Sequence, residues 1–426
     1  MKNGGERLAG FRICGGEKIE GTLRVDTAKN AVLPILAASV LPQEDTVLTD
    51  CPRLGDVECM RGILRMLGCE TCWEGDALRI CGGALSQGEM PEELSKRVRS
   101  SIFLLGPVLG RLRMATMAYP GGCEIGLRPI DLHLSALKRM GVRISEEGGM
   151  LRCDGRDMHA ADIHLDYPSV GATENIIMAA ALLPGRTTIS NAAREPEIED
   201  LQRYINAMGG HVQGAGSPLI VIEGVSRLHG VTYQPMPDRI ATGTYLCAAA
   251  ITGGQIELTN ARPRDLTAVL DKLRAMGCVI AEGEQALYLS APERLQSFDA
   301  LQTQPHPGFP TDMQSQMLAL ACVCRGASVI EEKVFENRFA IAGDLCRMGA
   351  NIRVTGRAAL IQGVERLHGA HVAAHDLRGG AALVLAALAA SGETLVEDVH
   401  LIDRGYERME EKLTALGAKI ARIGHA

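Results

Sequence analysis

At 426 residues, with 46% apolar and 22% charged residues, the chain can hold two or three domains with substantial cores and has an ordinary globular composition. A net charge of -7 gives no basic footprint for nucleic acid or an anionic membrane, and 3% aromatic residues leaves few platforms for stacking single strands. Met1 to Gly16 has no signal-peptide core, the longest uninterrupted apolar run (Ala381 to Ala390) is too short to span a bilayer, and 13 cysteines lie scattered without a framework, so a reduced, cytoplasmic location is expected.

In chain order, Leu8 to Val25 reads as two strands. Two patterns then alternate with a common period. The first is an Ala-rich helix, apolar nearly all round and therefore buried: 28–41, 98–109, 170–183, 240–251, 311–324 and 377–390. The second is an amphipathic helix, such as Asp265 to Met276, that ends in a large apolar residue and a glycine. These glycines are Gly68, Gly141, Gly209, Gly277, Gly349 and Gly417, spaced 73, 68, 68, 72 and 68 residues apart. Glycine just past a helix end predicts a left-handed cap, and a short β-type run follows each one.

One repeat is thus a buried helix, a strand, an amphipathic helix and two strands, and a fixed period over the whole chain outweighs any local reading. Six units suit two three-unit domains. The predicted cut gives residues 29–236 to one domain and residues 1–28 plus 237–426 to the other. The first strand pair is expected to complete a repeat whose other half lies at the C-terminus. The segment from Gln234 to Arg239, with Pro235 and Pro237, is predicted to be irregular.

Polar residues gather where the buried helices open: Lys29 and Asn30, Arg99, Ser169 with Gly171, Arg239, Asp312, and Arg378. The helix dipole favours anions at such ends, so four starts carrying a cation need a reason. Either the cations pair with acids at a domain boundary, or the starts serve an anionic ligand. Asp312 reads as an N-cap candidate beside Thr311 or, among cations, as the carboxylate able to act as a base. The loop from Pro120 to Pro129 holds three glycines, Cys123 and Arg128. It is a surface turn with an incidental thiol, or a nucleophile or acid in an open cationic setting. No phosphate-loop, nucleophile-elbow or zinc-helix motif occurs, and Cys69 with Cys72 lacks the second pair that a zinc site needs.

Several strings in order resemble one family: Ala28 to Ala31, Arg99, Pro120 to Cys123, Arg128–Pro129, Ser169 to Thr173, Ala192 to Ile198, Asp238–Arg239, Phe309 to Gln314, Phe335 to Phe339, Asp376 to Arg378, and Asp403 to Arg408. From Phe11 to Ile420 the chain is similar to the UDP-N-acetylglucosamine 1-carboxyvinyltransferases, or enolpyruvyl transferases, of the first committed step of peptidoglycan synthesis. The resemblance implies an α/β fold of two inside-out α/β barrels, each of three βαβαββ units. It implies phosphoenolpyruvate and UDP-N-acetylglucosamine as substrates and no cofactor, metal, nucleic acid or membrane.

By the same resemblance Cys123 is the acid toward the phosphoenolpyruvate methylene and the thiol alkylated by fosfomycin. Asp312 faces the sugar 3-hydroxyl as base or proton relay. Lys29, Arg128 and Arg404 surround the phosphate, and Arg378 faces the carboxylate. Asn30, Arg99, Arg128, Pro129, Ile130, Asp131, Leu132, Ser169, Val170, Gly171, Val334 and Arg338 line the nucleotide sugar. The chain departs from the family at Asp26–Thr27, where Ser-Gly is usual, and in the Ala340 to Asp344 stretch. The rivals are the shikimate-pathway enolpyruvyl transferase and a non-catalytic nucleotide-sugar-binding paralogue.

Overall fold

The computed structural model describes residues 9–121, 125–126 and 130–424. The chain divides into two compact units: Thr27–Cys123 with Arg128–Met236, and Met1–Asp26 with Glu124–Leu127 and Pro237–Ala426.

In the first unit the buried helices are Lys29–Ala38, Leu105–Leu112 (entered through a 3-10 turn, Arg99–Leu104) and Val170–Ala180. In the second they are Arg239–Ile251, Gln314–Val323 (entered through the 3-10 turn Thr311–Met313) and Leu377–Ala389. Within the second unit these three helices pack on one another, with sheets outside them. Alanine and glycine make this possible: small side chains let helix axes approach closely, and every residue of Arg239–Ile251 is buried. Truncating a core leucine such as Leu383 to alanine should cost about 2–5 kcal/mol.

The sheets share one plan. A strand such as Ala327–Glu331 pairs parallel with Ala300–Gln302 on one side and antiparallel with Ala358–Gln362 on the other. In this repeat and in that of Val170–Ala180 the parallel partner directly precedes the buried helix, giving a βαβ crossover followed by a hairpin, whereas the Lys29–Ala38 helix leads into Asp45–Leu48, whose parallel partner is the distant Thr232–Tyr233. Among the described residues five sheets have four strands each. The sheet of Met114–Ala118 has three, plus a single parallel bridge from Glu89 to Thr116.

The two N-terminal strands do not stay together as expected. Gly10–Cys14 pairs with Glu393–Glu397 and Lys419–Ile423 and does complete the C-terminal sheet. Glu20–Arg24 instead pairs parallel with Gln255–Thr259, the strand that follows the Arg239–Ile251 helix. The strand just before that helix, Thr232–Tyr233, pairs with Asp45–Leu48 in the other unit, and Glu20–Arg24 takes the place beside Gln255–Thr259.

The cap glycines hold the left-handed conformation: φ is 99° at Gly68, 87° at Gly141, 90° at Gly209, 99° at Gly277, 95° at Gly349 and 98° at Gly417. Two arginines close the carbonyl ends of buried helices. Arg111 donates to Val40 and Pro42 at 2.6 and 3.0 Å, and Arg294 donates to Val323, Cys324 and Val364 at 2.9–3.2 Å. Among the described residues no helix is long and apolar enough to cross a membrane.

Candidate active-site residues

Asp312 does not cap the helix that it opens. The residue before its 3-10 turn is Pro310, and no side chain caps that turn. Its carboxylate turns to two guanidinium groups instead. Arg338 Nη2 lies 2.6 Å from Oδ1, while Arg378 Nε and Nη2 lie 3.3 and 3.2 Å from Oδ2. Both arginines are buried, and the Asp312 side chain keeps 25% exposure. Charge-assisted bonds from planar forks fix a carboxylate in angle as well as distance.

The cations are themselves held. Asp376 caps Leu377–Ala389, accepting from the N–H groups of Arg378 and Gly379 at 2.9 and 3.0 Å, and lies 3.6 Å from Arg338. Arg338 stacks over Phe335 and Arg378 over Tyr406, at 5.1 and 5.4 Å from the ring centres. Burial opposes the charge on Arg378, but Tyr406, Asp312 and Asp238 outweigh it and hold its pKa above the ordinary arginine value. Behind the ring, Tyr406 Oη meets Thr244 Oγ1 at 2.9 Å, and Gln316 donates to the same threonine at 3.0 Å. Arg404 lies half-buried in the turn before Met409–Ala415, where Asp403 is fastened to Arg422 at 2.7 Å. Val334 joins this group through its N–H, which donates to Glu332 at 2.7 Å.

In the other unit Lys29 opens its helix with Nζ 2.7 Å from the buried Asp56 carboxylate, and Asn30 follows it half-buried. Lys29 and Arg378 thus both have acids within their own units. Arg99 donates to the Pro120 carbonyl at 3.4 Å. Ser169 is a true N-cap, its Oγ accepting from Ala172 N–H at 3.4 Å, with Val170 and Gly171 half-buried behind it. Ile130 is buried at the start of Asp131–Arg139, Asp131 is exposed in the first turn, and Leu132 is half-buried. Cys123, Arg128 and Pro129 lie outside the described residues.

Two residues absent from the sequence reading tie these starts together. Asn175 donates to the Ile102 carbonyl at 2.9 Å and to His133 Nδ1 at 3.1 Å, and its Oδ1 accepts from Gly106 N–H at 2.6 Å. His133 therefore carries its proton on Nε2 when neutral, and that edge of the ring faces Gly171, where an added Cβ would stand 3.2 Å from Nε2. One amide thus links the Arg99, Asp131 and Ser169 segments. A polar residue inside an all-apolar helix was the signal available for it. Beside it, Glu174 is fully buried with neither carboxyl oxygen hydrogen-bonded among the described residues. Burial, then the nearby Glu197 and Glu195, push its pKa well up.

A family model described as EPSP synthase (3-phosphoshikimate 1-carboxyvinyltransferase) matches residues 13–413. A protein of Caldanaerobacter subterraneus subsp. tengcongensis named UDP-N-acetylglucosamine 1-carboxyvinyltransferase 2 is 47% identical over 413 residues, covering 97% of this chain and 99% of the relative. One of Symbiobacterium thermophilum named UDP-N-acetylglucosamine 1-carboxyvinyltransferase 1 is 48% identical, covering 97% and 95%. Among solved structures, the enolpyruvyl transferase NikO from Streptomyces tendae matches with a TM-score of 0.88 at 23% identity, over 98% of this chain and 100% of that one. EPSP synthase from Acinetobacter baumannii matches at 0.75 and 18% identity, over 97% and 100%. The two structural matches bear on the fold, an α/β fold shared by enolpyruvyl transferases.

Proposed function

The chain belongs to the UDP-N-acetylglucosamine 1-carboxyvinyltransferase family, and from that premise we propose that it moves the enolpyruvyl group of phosphoenolpyruvate to the 3-hydroxyl of UDP-N-acetylglucosamine, releasing phosphate, as the first committed step of peptidoglycan synthesis. The observation that carries this reading is Asp312: a partly exposed carboxylate fixed by two buried arginines, in a chain 47% identical over 413 residues to a relative bearing that name.

In the proposed reaction Cys123 gives a proton to the methylene carbon of phosphoenolpyruvate, leaving positive charge at the carbon that bears the phosphate. The sugar 3-oxygen bonds to that carbon, and its proton passes to Asp312, giving a tetrahedral ketal. A methyl proton then returns to the Cys123 thiolate, and the double bond re-forms as the C–O bond to phosphate breaks. Lys29, Arg128 and Arg404 stabilise the phosphate charge that develops, and Arg378 holds the carboxylate. Asn30, Arg99, Arg128 to Leu132, Ser169 to Gly171, Val334 and Arg338 position the nucleotide sugar. Fixed donors suit this chemistry because they need no reorganisation as charge moves. The same reading makes Cys123 the target of fosfomycin and places the protein in the cytoplasm.

The test is product identity. With both substrates, the nucleotide sugar should gain one enolpyruvyl group on its 3-oxygen, seen by mass spectrometry and NMR. Unchanged nucleotide sugar with the folded protein contradicts the reading.

A further inference from the structure

Glu332 is a buried carboxylate that the proposed chemistry does not use. It follows the Ala327–Glu331 strand and is 1% exposed. Its Oε1 accepts from Thr303 Oγ1 at 2.8 Å, Val334 N–H at 2.7 Å and Phe335 N–H at 3.0 Å. Its Oε2 accepts from Thr311 Oγ1 at 2.9 Å. Thr303 Oγ1 in turn accepts from Lys333 N–H at 2.9 Å. Four neutral donors thus bond one carboxylate, three at Oε1 and one at Oε2. Burying an anion this way is costly unless its bonds are complete, so the arrangement does something that an apolar residue could not.

What it does is join two segments. Thr311 immediately precedes Asp312. Val334 and Phe335 lead into Arg338, which bonds Asp312 at 2.6 Å and stacks on Phe335. The two sides of the Asp312–Arg338 contact are thus anchored on the two oxygens of one side chain. Apolar packing alone would not fix that spacing to a few tenths of an ångström, whereas short charge-assisted bonds do.

We propose that Glu332 is a positioning residue: it sets Asp312 and the Val334 backbone in one register, so that the nucleotide sugar held along Val334 presents its 3-hydroxyl to Asp312. This rests on the reaction proposed above. Thr311 is the arm toward Asp312, and the Val334–Phe335 amides are the arm toward the nucleotide sugar. Cutting one arm should therefore affect kcat, and weakening both should affect kcat and KM together.

The experiment measures steady-state phosphate release for the wild type, Thr311→Val, Thr311→Ser and Glu332→Gln, with thermal unfolding of each. Wild-type turnover with UDP-N-acetylglucosamine tests the underlying reaction by itself; its absence overturns that reading, before any variant is compared. Given turnover, Thr311→Val should lower kcat about tenfold or more with the nucleotide-sugar KM within about twofold of wild type, and Thr311→Ser should restore kcat. Glu332→Gln, which puts N–H groups where one acceptor oxygen stood, should lower kcat and raise that KM. The result that overturns the proposal is wild-type kcat and KM in folded Thr311→Val and Glu332→Gln, or a kcat loss in Thr311→Val that serine does not rescue. If Glu332→Gln fails to fold, Thr311→Val with its serine control decides alone.

Discussion

Arg378 sends both Nε and Nη2 to a single oxygen of Asp312, at 3.3 and 3.2 Å, and leaves the other oxygen to Arg338 at 2.6 Å. The carboxylate is thereby fixed in direction as well as in distance. Asp312→Asn keeps the shape but removes the charge. We expect kcat to fall by about 10²–10⁴, the usual worth of a positioned base. The same change should lower the melting temperature, because two buried guanidinium groups lose an anion. Phosphate-release kinetics and thermal unfolding check both; undiminished turnover would exclude Asp312 as the proton acceptor.

Asn175 offers a second test, in the other unit. Replacing it with alanine leaves the Gly106 N–H without its side-chain partner, takes one of two donors from the Ile102 carbonyl and removes the donor to His133 Nδ1. Each unsatisfied buried group costs about 1–3 kcal/mol, so the melting temperature should drop by several degrees. Nucleotide-sugar affinity should also weaken, since the Arg99, Asp131 and Ser169 segments lose their common tie. Calorimetry measures both. A destabilised variant with unchanged affinity would confine Asn175 to a structural role.

Glu174 predicts a pH dependence of stability. Its folded pKa is raised, by burial first and by Glu197 and Glu195 next. An acid of this kind stays protonated in the fold but ionises in the unfolded chain near its ordinary value. It therefore costs nothing below that value, and stability is lost as pH rises above it toward the folded pKa. Glu174→Gln removes the penalty while keeping the shape. At pH 8 the variant should melt at a higher temperature than wild type, with the gap closing by about pH 4. A variant less stable at both pH values would mean that the acid makes bonds an amide cannot replace.

Cysteine chemistry separates Cys123 from its competitors. Burial pushes the thiol pKa to about 11 at Cys69 and about 12 at Cys153, Cys278 and Cys324, and higher still at Cys247 and Cys322. Such thiols are poor nucleophiles at neutral pH. Cys14 and Cys346 are exposed and are the fair controls. Fosfomycin should modify Cys123 selectively, and Cys123→Asp should resist it while keeping turnover, because a carboxylic acid can still donate a proton. Peptide mapping that finds the label mainly at Cys14 or Cys346 would remove Cys123 from the role of acid.

What the sequence made legible was whatever a local residue type decides. A glycine after an amphipathic run announces a left-handed cap, and Gly68 through Gly417 hold that conformation because other side chains there meet a steric penalty. All-apolar helices announce burial for the same local reason. The partner of a side chain is not local. Thr311 and Asp312 look like caps in any window of sequence, and only the approach of Arg338 and Arg378 from 26 and 66 residues away gives Asp312 other work. Glu332 and Asn175 escaped notice because their bonds join segments that no spacing rule connects. Adjacency in sequence predicts that Glu20–Arg24 shares a sheet with Gly10–Cys14, but its parallel partner, Gln255–Thr259, lies more than 200 residues away, where no local pattern reaches.

The most direct test of the proposed reaction is phosphate release from phosphoenolpyruvate, measured side by side with UDP-N-acetylglucosamine and with shikimate 3-phosphate as acceptor. The predicted result is release that depends on the nucleotide sugar and is absent with shikimate 3-phosphate. Release with shikimate 3-phosphate equal to or above that with the nucleotide sugar, or none with either acceptor from the folded protein, would contradict it.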